Sequence, residues 1–302
     1  MTWFWLALLS PLLWSINNHI DKYLFTKYYQ TARPGSLMFI MSGVSAVLAA
    51  AVFIFNPAAR QVPLGNILIL LLGGVLYFAG IFQYIFALMR DEASRVVPLF
   101  QIGPIFSYLL AWVILHEQLQ PAQLAAGALI IIAAVGISLD LDDRFRLKKA
   151  VLGYMLLATI ILAVEGLLFK IGAAHIGFWP GAAYQYAGTA LAGVIWWLVA
   201  PAFRQDFRRL FRQHRQAILT VSILNESINV LARVAYNAAT LLAPIALVAL
   251  VTNVQPFFVI ALGIMLTVFA PQWGKETLSR RHLMQKIICT ATIFVGTALL
   301  IV

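Results

Sequence analysis

Ten apolar runs, each about 20 residues long, fill this chain from end to end. They are 3–24, 35–56, 65–89, 94–115, 121–139, 150–172, 178–200, 216–241, 244–269 and 281–302. A helix needs about 20 residues to cross a bilayer. The pattern therefore predicts an all-α integral membrane protein with ten transmembrane helices. Composition agrees, because 62% of the 302 residues are hydrophobic and only 11% are charged, where soluble domains carry about 25%. Pro34, Gly35, Pro57, Pro63, Pro121, Pro201 and Pro244 fall at or near the boundaries of the runs. A missing backbone donor is tolerated there. The opening MTWFWLALLSPLLWSINN has no basic residue ahead of its apolar run and no small-x-small site after it. It is expected to stay as the first helix rather than to be cleaved.

Lys and Arg alternate in abundance from one loop to the next. The odd-numbered loops hold Lys22, Lys27 and Arg33; Arg90 and Arg95; Arg144, Arg146, Lys148 and Lys149; Arg204, Arg208, Arg209, Arg212 and Arg215; and Lys275, Arg280, Arg281 and Lys286. The even-numbered side has only Arg60 and Lys170. Positive residues mark cytoplasmic loops, so the odd loops are expected in the cytoplasm and both termini outside, in an inner or plasma membrane. The same distribution removes nucleic acid as the reason for the net charge of +10. The single cysteine, Cys289, excludes a disulfide framework within the chain. No cluster of Cys and His suggests a metal, and no cofactor is expected.

The chain repeats itself weakly. Residues 79–106, AGIFQYIFALMRDEASRVVPLFQIGPIF, lie on 231–258, LARVAYNAATLLAPIALVALVTNVQPFF, without a gap. Tyr84 meets Tyr236, Ala87 meets Ala239, Gln101 meets Asn253 and Pro104 meets Pro256. In the first helices of the two halves Lys22 meets Lys170 and Asn17 meets Glu165. Five helices is an odd number, so the second half enters the membrane from the opposite side. The expectation is two inverted five-helix repeats, 1–139 and 150–302, joined by a cytoplasmic linker over 140–149. Inverted repeats are a common construction of secondary transporters, whose sites lie near the midplane between the repeats.

Residues 93–139, ASRVVPLFQIGPIFSYLLAWVILHEQLQPAQLAAGALIIIAAVGISL, resemble the EamA-type module of the drug/metabolite transporter superfamily. The features are a helix start with Ser94, a central Pro, Glu117 in the loop HEQLQ, and a last helix rich in small residues. In the second half Phe269 falls where Glu117 aligns without a gap. KETLS (275–279) restores the match, through Glu276, when about seven residues are added to the ninth helix. The module typically occurs twice, giving ten helices. The resemblance implies a carrier for small metabolites or drugs, with export the habit of the family.

One helix stands out from the rest. At 100° per residue, Ser222, Asn225, Glu226, Asn229, Arg233, Tyr236, Asn237 and Thr240 fall within about 120° of arc and along about 27 Å of helix. A charged residue facing lipid at a helix centre costs about 2.5–3.5 kcal/mol even on a lenient scale. The stripe must therefore face protein or a water-filled cavity. Either it lines a substrate cavity, or Glu226 and Arg233 belong to an internal ion pair. Their separation of seven residues, about 10 Å along the axis, is long for direct contact. Matching faces occur on helix 1 (Ser10, Trp14, Asn17, Asn18, Asp21), helix 3 (Tyr77, Gln83, Tyr84), helix 4 (Pro98, Gln101, Tyr108) and helix 9 (Asn253, Pro256). Glu165 stands alone in helix 6. It either pairs with Arg233 and is structural, or carries a proton. His19 is expected to pack, and Asp21, Lys22 and Lys170 to snorkel from helix ends. The Trp residues near run ends, Trp3, Trp5, Trp179, Trp196, Trp197 and Trp273, suit an aromatic belt.

The expected substrate-binding set is Arg233, Glu226, Asn229, Tyr236, Asn237, Asn225, Glu165, Asn17, Trp14, Gln83, Tyr84, Gln101 and Asn253. The expected partners are a small-molecule substrate, the lipid bilayer and, through Glu165 or Glu226, protons. Arg233 for a carboxylate and a Glu for an amine or a proton suit an amino acid or related zwitterion. A lipid or lipid-linked precursor flippase and a multidrug efflux carrier are the alternatives. No HExxH, GxSxG or P-loop pattern occurs. The acidic clusters DEASR (91–95) and DLDD (140–143) read as solvated loops, so no enzyme is expected.

Overall fold

The computed structural model describes residues 2–28, 33–90, 96–138, 149–269 and 280–301, and every regular element among them is helical. The linker over 140–148, DEASR, Trp273 and KETLS lie outside the described residues. The helices are α1 (Thr2–Lys27), α2 (Met38–Phe55), α3 (Leu64–Leu88), α4 (Gly103–Leu115), α5 (Pro121–Ser138) and α6 (Lys149–Ala173). They continue with α7 (Phe178–Val199), α8 (Pro201–Leu242), α9 (Ile245–Thr252), α10 (Gln255–Phe269) and α11 (Arg280–Ile301).

Boundaries follow the local chemistry. Pro201 opens α8 at a position whose N–H has no helical partner. His116, at φ 55°, turns the chain out of α4 in the left-handed region, and Gly177, at φ 88°, does the same ahead of α7. The Asn56 side chain accepts from the Ala58 N–H at 3.1 Å and caps the short 3-10 turn Pro57–Arg60.

By length and composition, five helical stretches can cross a membrane. They are Met38–Phe55, Leu64–Leu88, Lys149–Ala173, Ile218–Leu242 and the α9–α10 run Ile245–Phe269. A sixth counts if Phe178–Val199 and Pro201–Gln216, bent by 100°, form one span. Gly103–Leu115, Pro121–Ala133 and Ile287–Leu299 are shorter apolar helices. α1 is 26 residues long, but its Trp, Asn and His residues lower its hydropathy. Among the described residues, five or six stretches thus meet the length and composition of a span, against the ten expected from the sequence.

Two of the expected spans are discontinuous. A 3-10 helix, Val97–Ile102, leads into α4, and a turn at Asn253–Val254 separates α9 from α10. Pro104 and Pro256 stand just after these breaks, as helix-opening prolines do. The segment 201–216, expected as a loop, is helical. His214 has non-helical dihedrals and separates it from the span that follows.

Several helix pairings recur when residues 1–139 are exchanged with residues 150–302, although the broad packing of α3 on α7 has only a slight counterpart between α8 and α2. α3 lies antiparallel on α6, with Gly80 against Leu162 and Gly172 against Leu70. Its counterpart α8 lies antiparallel on α1. α4 packs on α6 as α9 and α10 pack on α1, while α2 pairs with α7 and α5 with α11. Glycines set the closest crossings. A Cβ at Gly74 would lie 2.0 Å from the Gln185 carbonyl oxygen, and one at Gly188 2.1 Å from that of Leu71. Only hydrogen fits between α3 and α7 there, as at the small-residue contacts of membrane helices. Ser42 of α2 meets Gly193 of α7.

Candidate functional site

The polar stripe of α8 faces inward onto a cavity of about 270 Å³ between the two halves. Its lining includes Ser222, Asn225, Glu226, Asn229, Arg233, Tyr236 and Asn237 from α8, and Trp14, Asn17, Asn18 and Asp21 from α1. α3 adds Tyr77 and Tyr84, and α6 adds Glu165. Both helix breaks border it, with Phe100, Gly103 and Pro104 on one side and Thr252, Asn253 and Gln255 on the other.

Hydrogen bonds divide this wall into three groups. Arg233 Nη2 donates to Glu165 Oε1 at 3.2 Å, so the two pair across α8 and α6. Gln185 Nε2 donates to the same oxygen at 2.6 Å, and Asn237 Nδ2 to Gln185 Oε1 at 2.7 Å. The Gly74–Gly188 crossing brings α7 close enough for Gln185 to reach across. The guanidinium lies 3.4 Å from the Tyr77 ring centre and 4.9 Å from that of Tyr186. Two aromatic faces and a carboxylate surround it, and Arg233 is only 4% exposed. A buried charge needs such partners.

The second group centres on Asn229. It accepts from Trp14 Nε1 at 3.2 Å and donates to Tyr77 Oη at 3.0 Å and to Glu226 Oε1 at 3.1 Å. The third lies nearer the end that carries the basic loops. Asn17 Nδ2 donates to Asn225 Oδ1, and Asn225 Nδ2 to Asp21 Oδ1 at 2.7 Å. Trp14 and Tyr236 meet as tilted rings at 5.8 Å, and Tyr84 contacts Phe100 at 5.0 Å.

Beyond the opposite end of the cavity, Lys170 Nζ reaches Glu117 Oε1 at 2.5 Å and the Ala243 carbonyl at 2.8 Å. Glu117 Oε2 accepts from the Ile245 N–H at 3.1 Å, at the first turn of α9. One carboxylate from the HEQLQ loop thus ties the first half to the α8–α9 break, where Pro244 leaves backbone groups without helical partners.

The cavity gathers eleven of the expected residues: Trp14, Asn17, Tyr84, Glu165, Asn225, Glu226, Asn229, Arg233, Tyr236, Asn237 and Asn253. Gln83 is not in its lining, and the side chain of Gln101 lies outside the described residues. Asp21, expected to snorkel, lines the cavity. Lys170 does not snorkel but is held by Glu117. His19 packs as expected, its Nε2 3.0 Å from the Val259 carbonyl. Sequence reasoning missed Gln185 and Tyr186. The signal for Gln185 was present, since it is a lone carboxamide in an apolar helix. Tyr186 carried none, because tyrosines are ordinary in membrane helices.

The helices and the cavity define a multi-pass membrane protein with a polar chamber at its centre. Residues 1–139 match the EamA-like transporter family, which is a family of membrane transporters of small molecules. A solved structure described only as "Crystal structure of protein" shares the fold, with a TM-score of 0.67 at 17% identity. The match covers 98% of this chain and 95% of that one. No curated protein matches the chain in sequence.

Proposed function

We propose that the chain is a secondary transporter that moves a small organic molecule by alternating access between two inverted five-helix repeats. The observation that carries this reading is the pair of helix breaks, at 97–103 and 252–255, on either side of one polar cavity. They occupy corresponding positions of the two halves, since Gln101 aligns with Asn253 and Pro104 with Pro256. Interrupted helices at matching positions are the strongest pointer to a transporter's binding site. The pairings that recur on exchange, α3 on α6 with α8 on α1 and α4 on α6 with α9 and α10 on α1, support the inverted repeat.

The cavity suits a metabolite rather than a large drug. Small-molecule pockets run from about 300 to 1,000 Å³, and about 270 Å³ lies at the small end. Leu24, Leu37 and Met38 carry the lining toward the basic end, expected in the cytoplasm. Glu117 and Lys170 close the other end. Glu165 is held by Arg233, so a coupling proton would bind Glu226 or Asp21.

Counterflow in proteoliposomes tests the reading over a panel of amino acids, organic anions and amines. Saturable exchange by the wild type, lost in Asn229→Leu, is the expected result. Exchange that survives Asn229→Leu unchanged puts the pathway elsewhere.

A further inference from the structure

Three carboxylates line the cavity, those of Asp21, Glu165 and Glu226, against one basic side chain, that of Arg233. Arg233 is already engaged. Glu165 holds its Nη2, and Tyr77 and Tyr186 cover its faces. Asp21 and Glu226 have carboxamide donors from Asn225 and Asn229. Among the described residues neither has a basic side chain within ion-pair distance. Unbalanced negative charge in a membrane interior is costly, so a positive charge must enter when the chamber closes.

A second, independent feature points to a ligand. Ser222 is a cavity-lining residue, 4% exposed, whose buried hydroxyl has no hydrogen-bond partner among the described residues. Buried polar groups are nearly always satisfied. Ser222 lies one helical turn before Glu226 and one residue from the same face as Asn225, on the Asp21 side of the chamber. The walls around these acceptors are aromatic, with Trp14, Tyr84, Phe100 and Tyr236. Such rings hold an apolar body and favour a cation over their faces.

We propose that the cavity takes an organic cation, a protonated amine on an apolar or aromatic body, with Asp21 and Glu226 as its carboxylate partners and Ser222 as an acceptor. The assignment rests on the carrier reading above and narrows its substrate class. It disfavours a zwitterion or an anion, whose carboxylate would compete with Glu165 for the Arg233 guanidinium. Asn18, a lining residue whose buried Nδ2 also has no partner among the described residues, offers a donor to a hydroxyl or carbonyl on the same molecule once its amide turns toward the cavity.

The test compares skeletons that differ only in charge: tryptamine, tryptophan and indole-3-acetate, then phenethylamine, phenylalanine and phenylacetate. Each is titrated onto the purified full chain by ligand-induced thermal stabilisation, which follows mass action, and is then used in counterflow. The amines should stabilise the wild type more than their carboxylate and zwitterion counterparts. Asp21→Asn and Glu226→Gln should each weaken amine binding by about tenfold or more, the scale of one charge-assisted contact, with unliganded melting temperatures equal to or above that of the wild type. Ser222→Ala, which keeps the volume nearly constant, should weaken it less. A panel in which no amine binds better than its counterparts overturns the assignment. So does undiminished amine binding in both carboxylate variants. Counterflow of an anion or zwitterion with no amine exchange overturns the cation class while leaving the carrier standing.

Discussion

Arg233 and Glu165 hold each other in a region with no room for a lone charge. Removing one partner of a buried pair costs about 3–5 kcal/mol, because the other remains buried and uncompensated. Glu165→Leu and Arg233→Leu should each lower the melting temperature of the detergent-solubilised protein sharply. The double variant Glu165→Leu/Arg233→Leu should recover most of the loss, and additive losses would refute the pairing. At this scale much of the chamber was legible. A guanidinium, a carboxylate and three asparagines on one apolar helix have no reason to face lipid, and Glu165 had Arg233 as its natural partner. The rings of Tyr77 and Tyr186 around Arg233 were not legible as its shell, since aromatic residues are common in membrane helices whatever they touch. Asp21 was misplaced because its position near a helix end looks the same whether it faces water or a chamber.

At the scale of single elements, the α3–α7 crossing is set by missing side chains. Gly74→Ala or Gly188→Ala forces a methyl into a backbone carbonyl and should cost about 1–3 kcal/mol by overpacking, read as a lower melting temperature. Gly43→Ala, where a Cβ meets nothing within 4 Å, is the control and should be neutral or stabilising. The start of α8 behaves differently. Phe203 packs on Trp196 at 5.0 Å and Phe207 on Phe39 at 5.5 Å, and Leu210 is buried. Asp206 pairs with Arg33 and Arg209, while Arg208, Arg212 and Arg215 point outward. This segment suits the headgroup region, where each basic residue near an anionic surface contributes about 1 kcal/mol. Arg208→Glu/Arg212→Glu should abolish a salt-sensitive stabilisation by phosphatidylglycerol over phosphatidylcholine, and equal stabilisation of wild type and variant would sink the idea. The five arginines masked this helix in the sequence. Its apolar positions 203, 207, 210 and 211 keep helical spacing, but the charge between them read as a loop.

For the whole molecule, the ion pair of Glu117 and Lys170 joins the two halves at the end away from the basic loops. On the alternating-access reading proposed above, that end has to open, and the pair must then part. In a Cys289→Ser background, a cysteine placed at Thr240 should react several-fold faster with a membrane-impermeant thiol reagent after Lys170→Ala. Unchanged labelling would show that the pair does not hold the chamber closed. The sequence pointed to Glu117 only through its family resemblance, because its partners lie 53 and 128 residues further along the chain, beyond the reach of local pattern. The same long reach governs how the chain is made. Glu165 leaves the ribosome 68 residues ahead of Arg233, which at about 5–20 residues per second is a wait of about 3–14 s. During that interval α6 has no counter-charge, and its carboxylate has only an unfinished bundle around it. Assembly of the second half is therefore a race between the arrival of α8 and the surveillance that removes stranded membrane helices, and slow translation of the stretch between them should lower the yield of a chain whose finished fold is unaltered.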